Sequence, residues 1–154
     1  MSDDYHIRKG VEADLPTVLE LIKELAIYER ALHEVSNTIE MMKRDGFGEE
    51  PVFGFLVAVS SETGRIVGLS LYYYRYSTWK GKRLYLEDLI VTESERGKGV
   101  GKLLMDHTIE FGKSQNCTGM MWQALDWNEP ALNFYKLYGA TFDSEWVNCH
   151  LDFA

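Results

Sequence analysis

The stretch YLEDLIV, Tyr85 to Val91, followed at once by TESERGKGVG, Thr92 to Gly101, decides how this chain is read. An apolar run with two adjacent carboxylates predicts a strand over residues 84–91. Beyond the loop, Val100, Leu103, Leu104 and Phe111 recur at helical spacing. Between them RGKGVG, Arg96 to Gly101, places three glycines and two cations at the start of a helix. Glycines let the backbone approach a ligand closely, and first-turn N–H groups with the helix dipole favour a phosphate. Nucleotide loops fit poorly. Gly101-Lys102 is followed by Leu103 and has Arg96 where a Walker A loop needs glycine, and neither Gly97-x-Gly99 nor Gly99-x-Gly101 completes GxGxxG. Taken alone, the loop reads equally well as a glycine-rich surface turn with solvated cations.

Working outward, Tyr5 to Lys9 predicts a short strand. Asp14 starts a helix in which Leu15, Val18, Leu19, Ile22, Leu25 and Ala26 form one stripe. Asn37 and Glu40 have capping-box spacing, which predicts a second helix over about residues 38–44 with Gly46 as its stop. FGFLVAVS and RIVGLSLYYYRY, separated by SSETG, predict two antiparallel strands. After the glycine loop and its helix come a strand over 120–125, a helix over 130–138 ending at Gly139, and a terminal hairpin that includes 147–153. The order implies an α/β chain, a mixed sheet flanked by helices, in one domain over residues 1–154.

The chain has 154 residues, a formal charge of −8, 45% apolar and 13% aromatic residues, as expected of one globular domain. With no Lys/Arg stripe, nucleic acid is not expected as a partner, whereas a small cation would be attracted. The tyrosine run Tyr72, Tyr73, Tyr74 and Tyr76 accordingly reads as sheet packing rather than a base-stacking platform. The amino terminus has no apolar signal core and no stretch is long enough to span a bilayer, so no membrane partner is expected and the expected location is cytoplasmic. Cys117 and Cys149 read as reduced, and the scattered His6, His33, His107 and His150 form no ligand set, so no metal is expected.

YLEDLIV, RGKGVG and DWNEPALNFYKLYGA, in this order, resemble the GCN5-related N-acetyltransferase (GNAT) superfamily. LIKELAIYER, DGFGEEP and YSTWKGKRLYLEDLIV narrow the resemblance to its spermidine/spermine and thialysine (diamine) acetyltransferases, and it covers nearly the whole chain. It implies a GNAT fold, a mostly antiparallel splayed sheet with acetyl-CoA as co-substrate, and a homodimer. It implies that Arg96, Gly97, Lys98, Gly99, Val100, Gly101 and Lys102 hold the pyrophosphate. Backbone groups of Leu89, Ile90 and Val91 would take the pantetheine arm like an added strand, with Asn128, Glu129, Pro130 and Ala131 also against the cofactor.

Acetylating an amine requires a neutral nitrogen, a polarised thioester carbonyl and a proton for the departing thiolate. A primary amine is almost wholly protonated at neutral pH, so a carboxylate must take its proton; Glu87 is the candidate base, and the resemblance places one there. Strand alternation puts Glu87 and Asp88 on opposite faces unless a bulge intervenes, and the resemblance implies such a bulge. Tyr135 is by resemblance the general acid, and Asn128 is the expected N-cap of its helix. At the acceptor end, Trp79 can stack on an aliphatic chain, Glu29, Asp88 and Glu145 can pair with a second ammonium group, and Tyr28 would close the pocket. Ser77 stands where the polyamine enzymes carry aspartate, which favours a small diamine or a basic amino acid such as thialysine or lysine. A polyamine acceptor, a protein lysine and a non-catalytic acyl-CoA sensor are the competing readings.

Overall fold

The computed structural model describes residues 2–153. The chain divides into two compact units, Met1–Trp122 and Gln123–Ala154.

In the first unit, strands β1 (Tyr5–Lys9), β2 (Gly54–Ser60), β3 (Ile66–Ser77), β4 (Gly81–Val91) and β5 (Met120–Trp122) form one sheet in sequence order. The first four are antiparallel; β5 runs parallel to β4 because helix α3 (Val100–Ser114) makes the crossover between them. The mixed sheet expected from the sequence is therefore present. Helices α1 (Leu15–Tyr28) and α2 (Ile39–Phe47) cover one face, where Leu15, Val18, Leu21 and Met42 pack on Val57, Leu69, Leu71 and Ile90. α3 covers the other, with Val100 and Leu104 against Tyr5, Leu56, Ala58, Tyr72 and Leu84. Being covered on both faces, β2 is buried at Phe55 through Ser60, which explains its unbroken apolar run. Where α3 crosses β3 the approach is close: a Cβ on Gly68 would meet Leu104 Cδ1 at 2.8 Å. One buried polar pair lies there, Ser70 Oγ to Thr108 Oγ1 at 2.7 Å, and Thr108 Oγ1 in turn donates to the Leu104 carbonyl at 2.7 Å.

Several local expectations are corrected. The N-cap of α2 is Thr38, whose hydroxyl accepts from Met41 N–H, while Asn37 Oδ1 accepts from Thr38 N–H one step earlier. The helix runs past Gly46 to Phe47 because Gly48 lies at the C-cap. Asp14 does stand at the N-cap position of α1, as expected, but without a side-chain cap bond; its carboxylate accepts from Arg8 at 2.8 and 3.0 Å and from Val11 N–H at 2.8 Å. β5 stops at Trp122, three residues short of the expected end.

The second unit contains helix α4 (Glu129–Lys136). Asn128 is its N-cap, as expected, its side chain accepting from Ala131 N–H at 3.4 Å. The expected terminal hairpin is not formed: residues 140–153 carry no strand, and Val147, Leu151 and Phe153 are 84%, 85% and 92% exposed. Apolar alternation records a preference for extended backbone, but a strand needs a partner for its N–H and C=O groups, and among the described residues no strand pairs with this segment.

Candidate active site

In the β3–β4 ladder Leu71 pairs with Asp88 and Tyr72 with Leu86, so Glu87 is the extra residue of a bulge. Alternation is reset there. Tyr85 and Glu87 share the face of Tyr73, while Asp88 shares that of Ile90, which packs among the α1 and α2 residues; both faces are the α1 side of the sheet. The bulge implied by the resemblance thus puts both carboxyl groups on one face. Asp88 is the more enclosed, and burial, with Glu87 and Glu29 nearby, raises its pKa to about 7. Burial also raises the carboxyl of Glu29, at the C-cap of α1. Glu87 Oε1 accepts from the Tyr73 phenol at 3.1 Å.

Pairing of β4 with β5 ends at Leu86 and Trp122. Along Glu87 to Val91 the edge away from β3 therefore has no strand partner among the described residues, an opening of the kind an extended ligand can join.

The glycine loop follows directly. Gly97 and Gly99 have φ of 78° and 84°, and nothing lies within 4 Å of where a Cβ would stand, so the loop is both left-handed and open. The first bond of α3 runs from Leu103 N–H to the Gly99 carbonyl at 3.1 Å, leaving the Val100 and Gly101 N–H groups directed out of the helix start. Each loop cation has an acidic partner: Arg96 with Glu24 at 3.4 Å, Lys98 with Glu95 at 2.8 Å, Lys102 with Asp106 at 2.8 Å. Such surface pairs are weak, and an incoming anion can displace them.

Glu24 was not foreseen from the sequence. Its carboxylate accepts from Thr92 Oγ1 at 2.9 Å, Glu93 N–H at 3.0 Å and Arg96, tying α1 to the start of the loop. Arg96 also donates to the Val91 carbonyl at 2.9 Å and lies 5.7 Å from the centre of the Tyr28 ring. Glu24 and Tyr28 are one helical turn apart, which was the available signal.

The first unit thus brings Tyr28, Glu29, Glu87, Asp88, Leu89 to Val91 and Arg96 to Lys102 onto neighbouring elements. Trp79 is different: it is 85% exposed at the tip of the β3–β4 hairpin, about 20 Å along β4 from Glu87. Ser77 Oγ accepts from Trp79 N–H and Lys80 N–H at 3.2 and 3.0 Å, so this serine shapes its own turn. In the second unit Asn128, Glu129, Pro130 and Ala131 form the start of α4; Tyr135, one turn on, packs edge-on to Phe134 at 5.6 Å. Glu145 is exposed, its N–H donating to Asp143 at 3.1 Å. Among the described residues no group of three or more His, Cys, Asp or Glu could hold a metal, and no helix is long and apolar enough to cross a membrane.

A sheet opened at one edge, with a glycine-rich anion loop beside that edge and a bulged carboxylate pair in the same strand, defines an acyltransferase architecture. The family model for the acetyltransferase (GNAT) family matches residues 18–140. The chain is 39% identical over 140 residues to a mouse thialysine N-epsilon-acetyltransferase, covering 87% of this chain and 82% of that one. It is 35% identical over 154 residues to the human spermidine/spermine N(1)-acetyltransferase-like protein 1, covering 97% of this chain and 22% of that one. Its fold is similar to an aminoglycoside acetyltransferase from an uncultured soil metagenomic sample, solved with sisomicin, at TM-score 0.78 and 21% identity over 99% of this chain and 98% of that one. The chain belongs to the GNAT family of acetyltransferases, and it is an N-acetyltransferase.

Proposed function

We propose that this enzyme transfers the acetyl group of acetyl-CoA to the distal primary amine of a small diamine or basic amino acid, thialysine- or lysine-like, by direct transfer. The observation that carries the reading is the bulge, which gathers Glu87 and Asp88 on one face near Glu29. A dicationic acceptor matches that set, one carboxylate taking a proton and the others pairing with the remaining ammonium. The amine nitrogen bonds to the thioester carbonyl carbon as Glu87 accepts its proton. The carbonyl oxygen is stabilised by β4 backbone donors in the 89–91 segment, and as the carbon–sulfur bond breaks, Tyr135 supplies the thiolate's proton. Arg96 to Lys102 hold the pyrophosphate on open backbone N–H groups. Asn128 to Ala131 support the arm of acetyl-CoA, and Tyr28, Trp79 and Glu145 serve the acceptor. Residues 1–154 act as one catalytic domain, as a cytoplasmic homodimer.

The mouse relative's name supports an amino-acid acceptor. The human relative's name keeps a polyamine as the second reading, favoured by the three carboxylates Glu29, Glu87 and Asp88. Incubating the protein with acetyl-CoA and thialysine, lysine, ornithine, putrescine, spermidine or spermine, and weighing the products, separates them. Thialysine or lysine should lead. Spermidine in the lead selects the polyamine reading, and acetyl-CoA binding with no product selects the sensor.

A further inference from the structure

The sequence suggests only sheet packing for Tyr73, yet its phenol donates to Glu87 Oε1 at 3.1 Å. The contact is built by the ladder. Tyr73 and Tyr85 are register partners in β3 and β4, and their rings stack at 5.1 Å with planes 26° apart. Arg75, two residues on in β3, lies 5.8 Å from the Tyr85 ring centre. The stack fixes where the phenol oxygen stands, and strand alternation puts Glu87, two residues beyond Tyr85, on the same face. Without the extra residue, Glu87 would not share a face with both Tyr85 and Asp88.

We propose that Tyr73 is a positioning residue for acetyl transfer, its phenol holding one oxygen of Glu87 so that the other faces the acceptor's amine. This rests on the reading of Glu87 as base. Burial and the neighbouring Glu87 carboxylate push the Tyr73 hydroxyl up to about 12. The phenol therefore remains protonated across the range in which the enzyme works, a constant donor that neither takes nor gives the transferred proton. Its role is rotameric and electrostatic. A carboxylate on a solvent-facing bulge would otherwise sample several rotamers, and misplacing a catalytic group by about 1 Å can cost up to a hundredfold in rate.

The test is a double-mutant cycle in the full-length protein, with acetyl-CoA and whichever amine of the panel turns over fastest. Tyr73→Phe keeps the ring and its stack and removes only the donor. It should lower kcat about tenfold, leave the KM for acetyl-CoA unchanged, and leave the melting temperature within about 2 °C. In a Glu87→Gln background the same substitution should change kcat less than twofold, because the group it positions is gone. An equal loss in both backgrounds, or no loss in the native one, overturns the positioning role while a slow Glu87→Gln variant keeps the base. Full activity of Glu87→Gln, or no turnover with any amine, overturns both.

Discussion

Glu87 and Asp88 are neighbours in sequence and also neighbours across one face of the sheet, because the ladder skips from Asp88 opposite Leu71 to Leu86 opposite Tyr72. Asp88 is the more buried of the two, and the cost falls on it: burial first, and then the charges of Glu87 and Glu29, raise its pKa to about 7.

That cost predicts a pH dependence of stability. Unfolded, Asp88 titrates near the ordinary aspartate value of about 3.9; folded, it keeps its proton to about 7. A raised folded value means its contribution is fully present below the unfolded value and is lost as pH rises through about 7. Asp88→Asn, which cannot ionise, should therefore be more stable than the native chain above pH 7, on the order of a few kcal/mol, with the gap closing toward pH 4. Urea titrations of both proteins at pH 4.5, 6 and 8 measure it; a constant gap across that range would refute the assignment to Asp88.

The buried hydroxyl pair predicts an asymmetry. Thr108 Oγ1 gives its proton to the Leu104 carbonyl, so Ser70 must be the donor within the pair. Ser70→Ala leaves Thr108 still bonded and should cost about 1 kcal/mol. Thr108→Val leaves a fully buried Ser70 hydroxyl without that partner and should cost about 2–3 kcal/mol. Thermal unfolding of the two variants orders them; the reverse order would mean that the pair is wired the other way.

Much of this was legible beforehand, and the reasons differ by element. The strand, loop and helix around RGKGVG are written in local signals: β-branched residues, glycines at left-handed positions and helical periodicity. The position of Asp88 beside Glu87 could not come from periodicity, which assigns them opposite faces; only register against β3 reveals the bulge. Glu24 and Tyr73 were hard to read as site residues because each acts through a partner distant in sequence, at least 68 residues away for Glu24 and 14 for Tyr73, and only the helical spacing of Glu24 to Tyr28 offered a local hint. The failed hairpin at 147–153 is the converse. Its alternation is clear, but pairing depends on a partner strand, which lies outside any local pattern.

Asp14 supplies a stability prediction of opposite sign. Its carboxylate is almost fully buried, accepts two hydrogen bonds from Arg8 and one from Val11 N–H, and is held below the usual aspartate range chiefly by the Arg8 hydrogen bond. A lowered folded value means stability present above about 3.9 and lost as pH falls through the folded value. Asp14→Asn should cost about 1–3 kcal/mol at pH 7 and progressively less below pH 4, as the native aspartate itself becomes protonated. Chemical denaturation across that range follows the convergence; parallel curves would show that the charge on Asp14 contributes nothing.

Glu24 links α1 to the glycine loop through three acceptor contacts, to Thr92, Glu93 and Arg96. None of these touches the bulged carboxylates, so the effect of removing them should fall on binding rather than on chemistry. Glu24→Gln keeps the length of the side chain but loses the charge, weakening bonds that hold the entry to Gly97 and Gly99 in place. The ordering of the loop must then be completed when acetyl-CoA binds. At about 1 kcal/mol for this partly exposed network, the Kd for acetyl-CoA should rise about fivefold, with kcat at saturation unchanged within twofold. Calorimetric titration with acetyl-CoA, set beside saturating kinetics, reads the two separately. A fall in kcat with unchanged affinity would move Glu24 from the loop's support to the reacting end of the site, and tighter binding would mean that it restrains Arg96 more than it orders the loop.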